Sequence, residues 1–285
     1  MINIKEDKTY LVTGGSGFLG IALVKYILEQ KGKVRVLARD EGKLIELKQK
    51  FPSVEIYPGD ISDQCTVRES IKDITGIFHL AASKHVLLAE KFVKENIKTN
   101  IIGSMNLLEL SLTEPLEFIL GISTDKAAQV NGVYGATKFI MERMFKQYES
   151  INDKCKYRIV RYGNVLYSTG SVLCKWKNEI EKGGEVIITE PEATRFFWSV
   201  DQAIDLIDSC MKYAIDSSPY CPTMKSIMIR DLLAAMVEKY GQGKKVTMRF
   251  IGLQPGENLH EKVMEQGPYS NQVEMFSIKE IMKMI

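Results

Sequence analysis

Residues 123–138, with the sequence STDKAAQVNGVYGATK, contain side chains suited to proton transfer. Tyr134 and Lys138 are four residues apart, so a helix places them one above the other on the same face. A nearby ammonium group lowers the pKa of a phenol from about 10, which would let Tyr134 act as a base near neutral pH. Many Tyr-x-x-x-Lys pairs simply lie on a helix surface, but this pair follows the apolar strand predicted at 117–124. The pattern therefore favours a catalytic pair.

A hydroxyl, a carboxyl and an amine occupy three consecutive positions where this strand ends, at Thr124, Asp125 and Lys126. A carboxyl beside an amine can supply a general acid and a general base to one substrate. Lys126 must be neutral to act as a base, so we expect burial or Lys138 to lower its pKa. The alternative is that Asp125 and Lys126 are solvated charges of a turn, because Asp is common at strand ends.

The segment LVTGGSGFLG, residues 11–20, could hold a phosphate group. Gly15, Gly17 and Gly20 fit G-x-G-x-x-G, whereas Gly14, Gly17 and Gly20 fit G-x-x-G-x-x-G. The glycines lie between a predicted strand and a predicted helix, where a tight turn and a helix N-terminus together bind a pyrophosphate. This context disfavours the alternative of a turn without function. Dinucleotide contacts are expected from Gly14, Ser16, Gly17, Phe18, Leu19 and Gly20.

The end of the second predicted strand bears on which dinucleotide binds. An acid there would bind the ribose hydroxyls of NAD, and an arginine would bind the 2′-phosphate of NADP. The sequence has both, Arg39 followed by Asp40. Because a planar guanidinium suits a phosphate, we expect NADP, with NAD as the alternative. In the third interpretation Arg39 is a solvated charge at the strand end.

The elements that must position these residues alternate between short strands and longer helical patterns, which is typical of a parallel sheet. Strands are predicted at 9–13, 33–39, 54–60, 76–82, 117–124 and 157–165, and helices at 19–30, 91–112 and 134–148. Farther along, strands are predicted at 185–190 and 246–252, and helices at 200–214 and 226–240. We expect an α/β fold: a Rossmann-type doubly wound parallel sheet over residues 1–165, with a smaller C-terminal substrate-binding lobe over residues 166–285. Some segments of this lobe would return to the sheet.

The overall composition narrows the kinds of partner. The chain has 38 Lys and Arg against 36 Asp and Glu, a formal net charge of +2, so nucleic acid is not expected. Five cysteines without a C-x-x-C pair predict reduced thiols in a cytoplasmic protein, with no disulfide framework and no metal site. No signal peptide and no run of about 18 apolar residues occurs, so we expect a soluble protein without membrane contact.

The motifs resemble the extended short-chain dehydrogenase/reductase superfamily along nearly the whole chain. The resemblance is carried by Gly14, Gly17 and Gly20, GD at 59–60, LAA at 80–82, Asn100, Ser123-Thr124, Tyr134-x-x-x-Lys138 and RYGNV at 161–165. It implies cofactor contacts from Asp60, Ile61, Ala81, Ala82, Lys84, Asn100, Tyr134 and Lys138. Among these, Asp60 would read the adenine, and Asn100 would help to order the active-site lysine.

A narrower set of motifs is similar to the soluble UDP-N-acetylglucosamine 4,6-dehydratases. It comprises AASKHV (81–86), KTNI (98–101), STDKAA (123–128), RYGNV…GSV (161–172), TRFF (194–197) and IGLQPGENLHE (251–261). The similarity implies substrate contacts from Lys84, His85, Asn164, Ser171, Val172, Thr189, Arg195 and Glu257. Arg195 would clamp the diphosphate, and Glu257 would hold the uridine ribose. The alternatives are that Arg195 is a surface ion-pair partner and that Glu257 is a solvated loop acid. Helices at 91–112 and 134–150 would pack against a second copy, giving a homodimer or higher homo-oligomer.

The reaction that this similarity implies has three stages. Tyr134, with Thr124 as a hydroxyl donor, removes the proton of the 4-hydroxyl while a hydride leaves carbon 4. Lys126 then removes the proton of carbon 5 while Asp125 protonates the departing 6-hydroxyl. The hydride finally returns to carbon 6, and we expect carbon 5 to be inverted. The alternatives are a 4-epimerase or 4-reductase, which needs no acid for a 6-hydroxyl, and a non-catalytic NADP-sensing protein, which needs no tyrosine–lysine pair.

Overall fold

Strands and helices alternate along most of the chain, of which the computed structural model describes residues 4–285. The strands are β1 Thr9–Thr13, β2 Lys33–Ala38, β3 Glu55–Pro58, β4 Gly76–His79, β5 Phe118–Thr124, β6 Lys156–Tyr162, β7 Asn164–Val165, β8 Glu185–Ile188, β9 Thr194–Trp198, β10 Pro219–Tyr220, β11 Ser226–Met228 and β12 Thr247–Phe250. The α-helices are α1 Phe18–Glu29, α2 Glu41–Lys50, α3 Gln64–Ser70, α4 Val86–Lys91, α5 Val93–Ile97, α6 Gly103–Leu110, α7 Val133–Ile151, α8 Val172–Lys182, α9 Val200–Tyr213, α10 Ile229–Tyr240 and α11 Ile278–Met284. A π-helical segment, Lys98–Ile102, joins α5 to α6, and a 3₁₀ turn, Asp125–Ala127, follows β5.

Within residues 4–285, seven parallel strands form the main sheet in the order β3-β2-β1-β4-β5-β6-β10. The strand order reverses between β1 and β4, because the chain runs outward from β1 in one direction and from β4 in the other. Doubly wound sheets bind their ligands in the crevice beside the carboxyl ends of the strands at this reversal. The predicted Rossmann-type fold is confirmed.

Helices cover both faces of the sheet, since its central strands are apolar on both sides. Every residue of β5, FILGIST, is buried. The core on one face contains Val12 of β1, Leu23 of α1, Leu44 of α2 and Ile207 of α9. The core on the other face contains Leu11 of β1, Val67 of α3, Leu107 of α6 and Phe145 of α7. These two cores fix the strand ends that carry the candidate site.

A third core belongs to the later part of the chain. It contains Trp176 of α8, Val186 of β8, Phe197 of β9, Leu233 of α10 and Ile281 of α11. Strand β9 pairs with β7 and with β11, and β12 pairs with β8. Helix α9 and strand β10 belong instead with the first part of the fold, because α9 packs against α1 and β10 pairs with β6.

Some predicted boundaries were wrong. The predicted helix at 91–112 is α5, the π-helical segment and α6, and the predicted helix at 226–240 begins with three residues of β11. The predicted strand at 157–165 is interrupted at Gly163, where a Cβ atom would lie 2.5 Å from the backbone oxygen of Phe196. Helices α2 and α3 were not predicted, because each buries only two side chains. Short buried faces give little periodicity.

Candidate active site

The loop between β1 and α1 presents backbone rather than side chains. Gly14 has a φ of +69°, and a Cβ atom there would lie 2.9 Å from the backbone nitrogen of Ala81. A Cβ atom at Gly20 would lie 2.5 Å from the backbone oxygen of Gly14. Gly17 precedes α1 without a side-chain cap, and the first turn of α1 carries no acid. The N–H groups of this turn are therefore available to an anion, as a dinucleotide pyrophosphate requires. Ser16, Phe18 and Leu19 lie in the same loop and turn.

Positive side chains lie near Asp60, beyond the end of β2. Nη1 of Arg39, whose side chain is 60% exposed, lies 3.8 Å from Asp60 Oδ2, and Nζ of Lys98 lies at the same distance. Asp60 Oδ1 accepts hydrogen bonds from the backbone nitrogen and the hydroxyl of Ser62 at 2.9 and 2.8 Å. Burial raises the pKa of Asp60, but these hydrogen bonds and the two cations lower it by more, so the carboxylate is ionised.

Asp40 is engaged elsewhere. Its Oδ1 accepts a hydrogen bond from the backbone nitrogen of Lys43 at 3.0 Å and caps α2. Arg39, directly before it, makes no comparable contact with a helix end and keeps an exposed guanidinium. Both side chains are exposed, and Arg39 is the one that does not cap a helix.

The turn after β4 is held by Asn100, a buried residue of the π-helical segment. Its Oδ1 accepts from the backbone nitrogen of Ser83 at 2.8 Å, and its Nδ2 donates to Ser83 O and to Thr137 Oγ1, both at 3.0 Å. Asn100 thus links this turn, with Ala81 and Ala82, to helix α7. π-helical segments are often found at functional sites.

His79, which was not among the predicted site residues, supports the same turn. Its Nδ1 is 2.8 Å from Thr13 Oγ1, its Nε2 is 2.8 Å from Ser104 Oγ, and Thr13 Oγ1 accepts from the backbone nitrogen of Ala81 at 3.2 Å. Burial, aided by the charge of Lys138, lowers the pKa of His79 to about 3, so the ring is neutral. No motif or spacing in the sequence indicates that this buried histidine supports the turn.

Tyr134 and Lys138 lie one turn apart on α7. Lys138 is buried, and its Nζ donates to the backbone oxygen of Ile122 at 2.7 Å. Burial lowers the pKa of Lys138 to about 8, against an opposing effect of Glu142. Burial also raises the pKa of Tyr134 to about 12, and the cation that lowers it is Lys126. The expectation that the pKa of the phenol falls below 10 is therefore wrong in this structure, because burial outweighs the nearby cation.

Asp125 and Lys126 are not solvated charges of a turn. The Asp125 side chain is fully buried, and that of Lys126 is 16% exposed. Lys126 Nζ lies 3.1 Å from Asp125 Oδ1 and 3.0 Å from Glu261 Oε1. Burial lowers the pKa of Lys126, but the two carboxylates raise it by more, to above its usual value. Lys126 is thus an ammonium here, and the expectation of a lowered pKa is wrong.

Asp125 has the properties of a general acid. Burial raises its pKa most, and the charge of Glu261 adds to this, while Lys126 and a hydrogen bond from Thr124 Oγ1 at 2.9 Å oppose it. The result is a pKa of about 7. A carboxyl with such a pKa retains a proton that it can donate near neutral pH.

Glu261 completes a cluster of charged side chains with Asp125, Lys126 and Arg195. It is the last residue of the motif at 251–261, and no role was predicted for it. It is 3% exposed, and its Oε1 lies 3.5 Å from Nε of Arg195. Burial raises the pKa of Glu261, but Lys126 and Arg195 lower it to about 2. Nothing in the local spacing indicates this role, because Glu261 reaches Asp125 only through the fold.

Arg195 lies beside the cluster and is buried, which excludes the alternative of a surface charge. Its Nη1 donates to the backbone oxygens of Thr194 and Leu259, both at 2.9 Å. These bonds fix the guanidinium next to Glu261. Arg195 therefore links β9 to the segment that carries Glu261.

Lys84 and His85, two of the expected substrate contacts, follow the turn after β4. Burial lowers the pKa of both, and His85 is so close to Gly170 that a Cβ atom at Gly170 would lie 2.9 Å from His85 Cε1. Ser171 precedes α8 without capping it through its side chain, and Val172 begins the helix. The structure thus brings the turn after β4 close to the start of α8.

Three further expected substrate contacts lie in other segments. Asn164, in β7, donates from Nδ2 to the backbone oxygen of Phe196 at 3.4 Å, and Thr189 follows β8 directly. Glu257 Oε2 accepts from the backbone nitrogen of Gln254 at 3.1 Å, within its own turn. The carboxylate of Glu257 is thus engaged with its own loop.

Lys126 and Tyr134 line a narrow crevice, together with Gly132, Gly256 and Asn258. Within residues 4–285 no group of three or more His, Cys, Asp or Glu side chains is arranged to bind a metal ion. In the same part of the chain, no helix combines the length and the apolar character needed to cross a membrane.

Comparison of the sequence with known protein families identifies a family. The profile of a family described as "Polysaccharide biosynthesis protein" matches residues 10–283. The chain belongs to this family. Relatives of the chain differ in the reaction that their names give.

The relatives include a 4,6-dehydratase and a 4-epimerase at similar identity. A Methanocaldococcus jannaschii protein named as an uncharacterized membrane protein is 38% identical over 272 residues, 92% of this chain and 82% of that one. The UDP-N-acetylglucosamine 4,6-dehydratase (inverting) of Campylobacter jejuni is 32% identical over 263 residues, 90% of this chain and 77% of that one. The UDP-glucose 4-epimerase of Rickettsia bellii is 31% identical over 267 residues, 90% of this chain and 78% of that one.

Solved structures with the same fold cover nearly the whole chain. Pen from Bacillus thuringiensis superposes with a TM-score of 0.92 and 26% identity, covering 98% of this chain and 97% of that one. DesIV, a dTDP-glucose 4,6-dehydratase from Streptomyces venezuelae solved with NAD and TYD bound, has a TM-score of 0.81 and 18% identity, covering 97% and 95%. The chain therefore shares its whole Rossmann-type fold with these two solved structures.

Proposed function

We propose that this protein is a lyase that converts UDP-N-acetylglucosamine to a UDP-4-keto-6-deoxy-N-acetylhexosamine with inversion at carbon 5. The observation that carries the proposal is the buried pair Asp125 and Lys126 beside Tyr134. Loss of water across carbons 5 and 6 needs an acid for the 6-hydroxyl and a base for carbon 5, besides the tyrosine that serves carbon 4. The name of the Campylobacter jejuni relative supports the same substrate and outcome.

The glycine loop fits a nicotinamide cofactor, because Gly14 and Gly20 allow a turn too tight for side chains and the first turn of α1 leaves its N–H groups free for a pyrophosphate. When bound, this cofactor would accept a hydride from carbon 4 of the sugar and return it to carbon 6. The side chains around the end of β2 favour NADP, since Arg39 and Lys98 are cationic and Asp40 caps α2. NAD remains the alternative, and it is the cofactor bound in DesIV.

Tyr134 and Lys138 would serve the oxidation at carbon 4. Tyr134 would take the proton of the 4-hydroxyl, for which its phenolate form needs a nearby cation, because burial raises its pKa to about 12. Lys126 is such a cation, and Lys138, with a pKa of about 8, is a second group that can gain or lose a proton near neutral pH. Thr124 lowers the pKa of Tyr134 through a hydrogen bond.

Asp125 and Lys126 can exchange the proton that elimination requires. Above the Asp125 pKa of about 7, the pair carries a single ionisable proton, on Lys126. A shift of that proton from Lys126 Nζ to Asp125 Oδ1, across 3.1 Å, produces a neutral amine and a carboxylic acid. The amine would then remove the proton of carbon 5 while the acid protonates the leaving 6-hydroxyl.

The nucleotide part of the substrate is proposed to lie against Lys84, His85, Asn164, Ser171, Val172, Thr189, Arg195 and Glu257. The start of α8 supports a diphosphate site, because no side chain caps its N–H groups. Arg195 supports the same site through the edge of its guanidinium that the carbonyls of Thr194 and Leu259 leave free. Glu257 would have to leave its contact with Gln254 to reach a ribose.

We also propose that the protein works in the cytoplasm as a homodimer or higher homo-oligomer. Helices α4 and α5 pack against α7 and expose large apolar side chains. These are Leu87, Leu88, Phe92, Val93 and Ile97, each between 41% and 53% exposed. Contiguous apolar surface of this kind is typical of an interface.

A second candidate function is a nucleotide-sugar 4-epimerase, favoured by the similar identity to the Rickettsia bellii protein. An epimerase would use the cofactor, Tyr134 and Lys138, but no acid for a 6-hydroxyl. The burial of Asp125 against Lys126 would then serve no step of the reaction. The two functions therefore differ in whether Asp125 is needed.

The experiment that tests the proposal is proton NMR of the purified protein with UDP-N-acetylglucosamine in deuterated water. We expect a 6-methyl signal beside a 4-keto sugar, with deuterium and inverted configuration at carbon 5. Asp125→Asn should slow the appearance of the methyl signal by about 10²- to 10⁴-fold. Asp153→Asn, at an exposed position, is the matched control and should leave the rate unchanged.

Two results would reject the dehydratase. Formation of the 4-epimer alone, at the same rate in Asp125→Asn, would assign the epimerase. Unchanged substrate after addition of NADP⁺ and of NAD⁺ would exclude both activities on this sugar.

A further inference from the structure

The catalytic cluster contains one more buried charge than an acid–base pair requires. Glu261 is 3% exposed, and its Oε1 lies 3.0 Å from Lys126 Nζ and 3.5 Å from Arg195 Nε. A buried carboxylate is costly unless it is paired, so its place between two cations explains why it remains ionised. It does not explain why a second buried carboxyl, Asp125, shares the same lysine.

Two carboxyl oxygens of this cluster favour a shared proton. Asp125 Oδ2 and Glu261 Oε2 are both buried, and neither accepts a hydrogen bond from any group within residues 4–285. Two ionised carboxylates cannot satisfy each other, because neither has a donor. A proton on Asp125 removes the conflict, since the acid can then donate to Glu261. Such a hydrogen bond raises the pKa of Asp125 and lowers that of Glu261.

The position of Glu261 is fixed by its own segment. Its backbone nitrogen donates to Ser270 Oγ at 2.9 Å, and its backbone oxygen accepts from Ser270 N at 2.8 Å. Arg161, which is fully buried, donates to the backbone oxygen of Val263 at 2.8 Å and to Glu265 Oε1 at 2.9 Å. These contacts hold the segment against β6, so Glu261 is a rigid part of the cluster.

We infer that Glu261 is a positioning residue for the elimination step: once Asp125 holds a proton, taken from solvent or from Lys126, Glu261 accepts a hydrogen bond from that carboxyl, and it holds Lys126 at the same carboxyl through an ion pair. The inference rests on the proposed function only where it assigns this acid to the 6-hydroxyl. The protonation of Asp125 in the protein does not depend on which sugar binds.

Other titratable groups face the cluster from each neighbouring element. They are Tyr134 from α7, Arg195 from β9, Cys221 after β10, and His260 next to Glu261. The thiol of Cys221 is neutral because burial raises its pKa to about 12, and burial and Arg195 lower the pKa of His260. Neither group therefore replaces the negative charge of Glu261 near neutral pH.

The decisive experiment is a ¹³C NMR titration of the carboxyl groups in the full-length protein, with the Asp125 signal assigned through Asp125→Asn. In the wild type we expect a midpoint of about 7. In Glu261→Gln the midpoint should fall by about one pH unit or more, because the repelling charge is gone. Glu274→Gln, in an exposed part of the same C-terminal region, is the control and should not move it.

Glu261→Asp is the second variant, in case the amide prevents folding. It keeps the charge but withdraws the carboxylate by one methylene, so the midpoint should fall by less than in Glu261→Gln. A wild-type midpoint near the ordinary 3.8, or a midpoint that neither variant moves, would overturn the inference.

A pH–rate profile separates the inference from the proposed function. If the wild type forms the 6-deoxy product, Glu261→Gln should move the acidic limb of the profile to lower pH and reduce kcat. A loss of rate without movement of that limb would mean a structural role only and would contradict the inference. If the wild type forms no such product, the proposed function fails, while the carboxyl titration still decides the role of Glu261.

Discussion

Lys126 and Lys138 are chemically identical side chains that the fold places in opposite electrostatic surroundings. Lys138 is buried next to a backbone oxygen, and burial lowers its pKa to about 8. Lys126 contacts two buried carboxylates, which raise its pKa above the usual value. Lys138 can therefore exchange a proton near neutral pH, whereas Lys126 can become a base only after its proton moves to Asp125 or Glu261.

Asp125 should make the stability of the protein depend on pH in a defined window. Its folded pKa of about 7 lies above the ordinary 3.8, so its stabilising effect is complete below about pH 4 and is lost as the pH rises through 7. We expect Asp125→Asn to gain free energy of unfolding relative to the wild type between these two pH values. Urea unfolding at a series of pH values measures this difference. The contribution of Glu261 changes mainly below this window, because its pKa is about 2 in the folded protein and 4.5 ordinarily.

A difference between Asp125→Asn and the wild type that stays constant from pH 4 to pH 7 would contradict this prediction. The exposed substitution Asp153→Asn serves as the control, and its difference from the wild type should be flat over the same range.

Arg39 should determine the preference between the two cofactors. Arg39→Ala should weaken binding of NADP⁺ by about 10- to 100-fold, the loss of a charge-assisted contact to a phosphate, and leave NAD⁺ binding nearly unchanged. Isothermal titration calorimetry with each cofactor measures both constants. Arg68→Ala, exposed on α3, is the matched control. Equal weakening for both cofactors would mean that Arg39 does not contact a 2′-phosphate.

At the scale of elements, irregular segments carry much of the site. The π-helical segment places Asn100 where it can bond both to the turn after β4 and to α7. The 3₁₀ turn after β5 brings Asp125 and Lys126 into a buried position at the end of the strand. Regular periodicity predicts the flanking strand and helices but not these irregular turns.

The packing of α1 on the glycine loop can be tested with a single methyl group. Gly20→Ala should destabilise the protein and abolish cofactor binding, because the Cβ atom would lie 2.5 Å from the backbone oxygen of Gly14. Gly42→Ala is the control, since the nearest atom to its Cβ, Asp40 Oδ1, is 3.4 Å away. It should retain cofactor binding and gain up to about 1 kcal/mol from helix propensity. Thermal unfolding with and without NADP⁺ measures both effects, and normal cofactor stabilisation of Gly20→Ala would refute the prediction.

At the scale of the whole molecule, the apolar side chains exposed on α4 and α5 mark the proposed contact between two copies of the chain. Ile97→Glu should convert the proposed dimer to a monomer of 32.3 kDa, because a charge would replace a side chain at the contact. Ile215→Glu, at a position that is 89% exposed and belongs to another surface, is the control. Light scattering after gel filtration gives the mass, and an unchanged dimer in Ile97→Glu would place the interface elsewhere.

The amino-acid sequence by itself predicted the parts of this protein that depend on local order along the chain. The strand–glycine–helix segment at 9–30, the strand ending in Thr124 and the helix carrying Tyr134 and Lys138 follow from residue type and spacing. Their relative placement follows too, because parallel strands joined by helices bring their carboxyl ends to one edge of a sheet.

Only the tertiary structure decided which charges meet. Glu261 contacts Lys126, and His79 contacts Ser104, through the fold and not through any spacing that the sequence displays. The protonation of Asp125 and Lys126 depends on these long-range neighbours and on burial, because the free energy of a buried charge is set by the few groups around it. For that reason the residues of the proposed acid–base pair could be predicted from the sequence, whereas their protonation states could not.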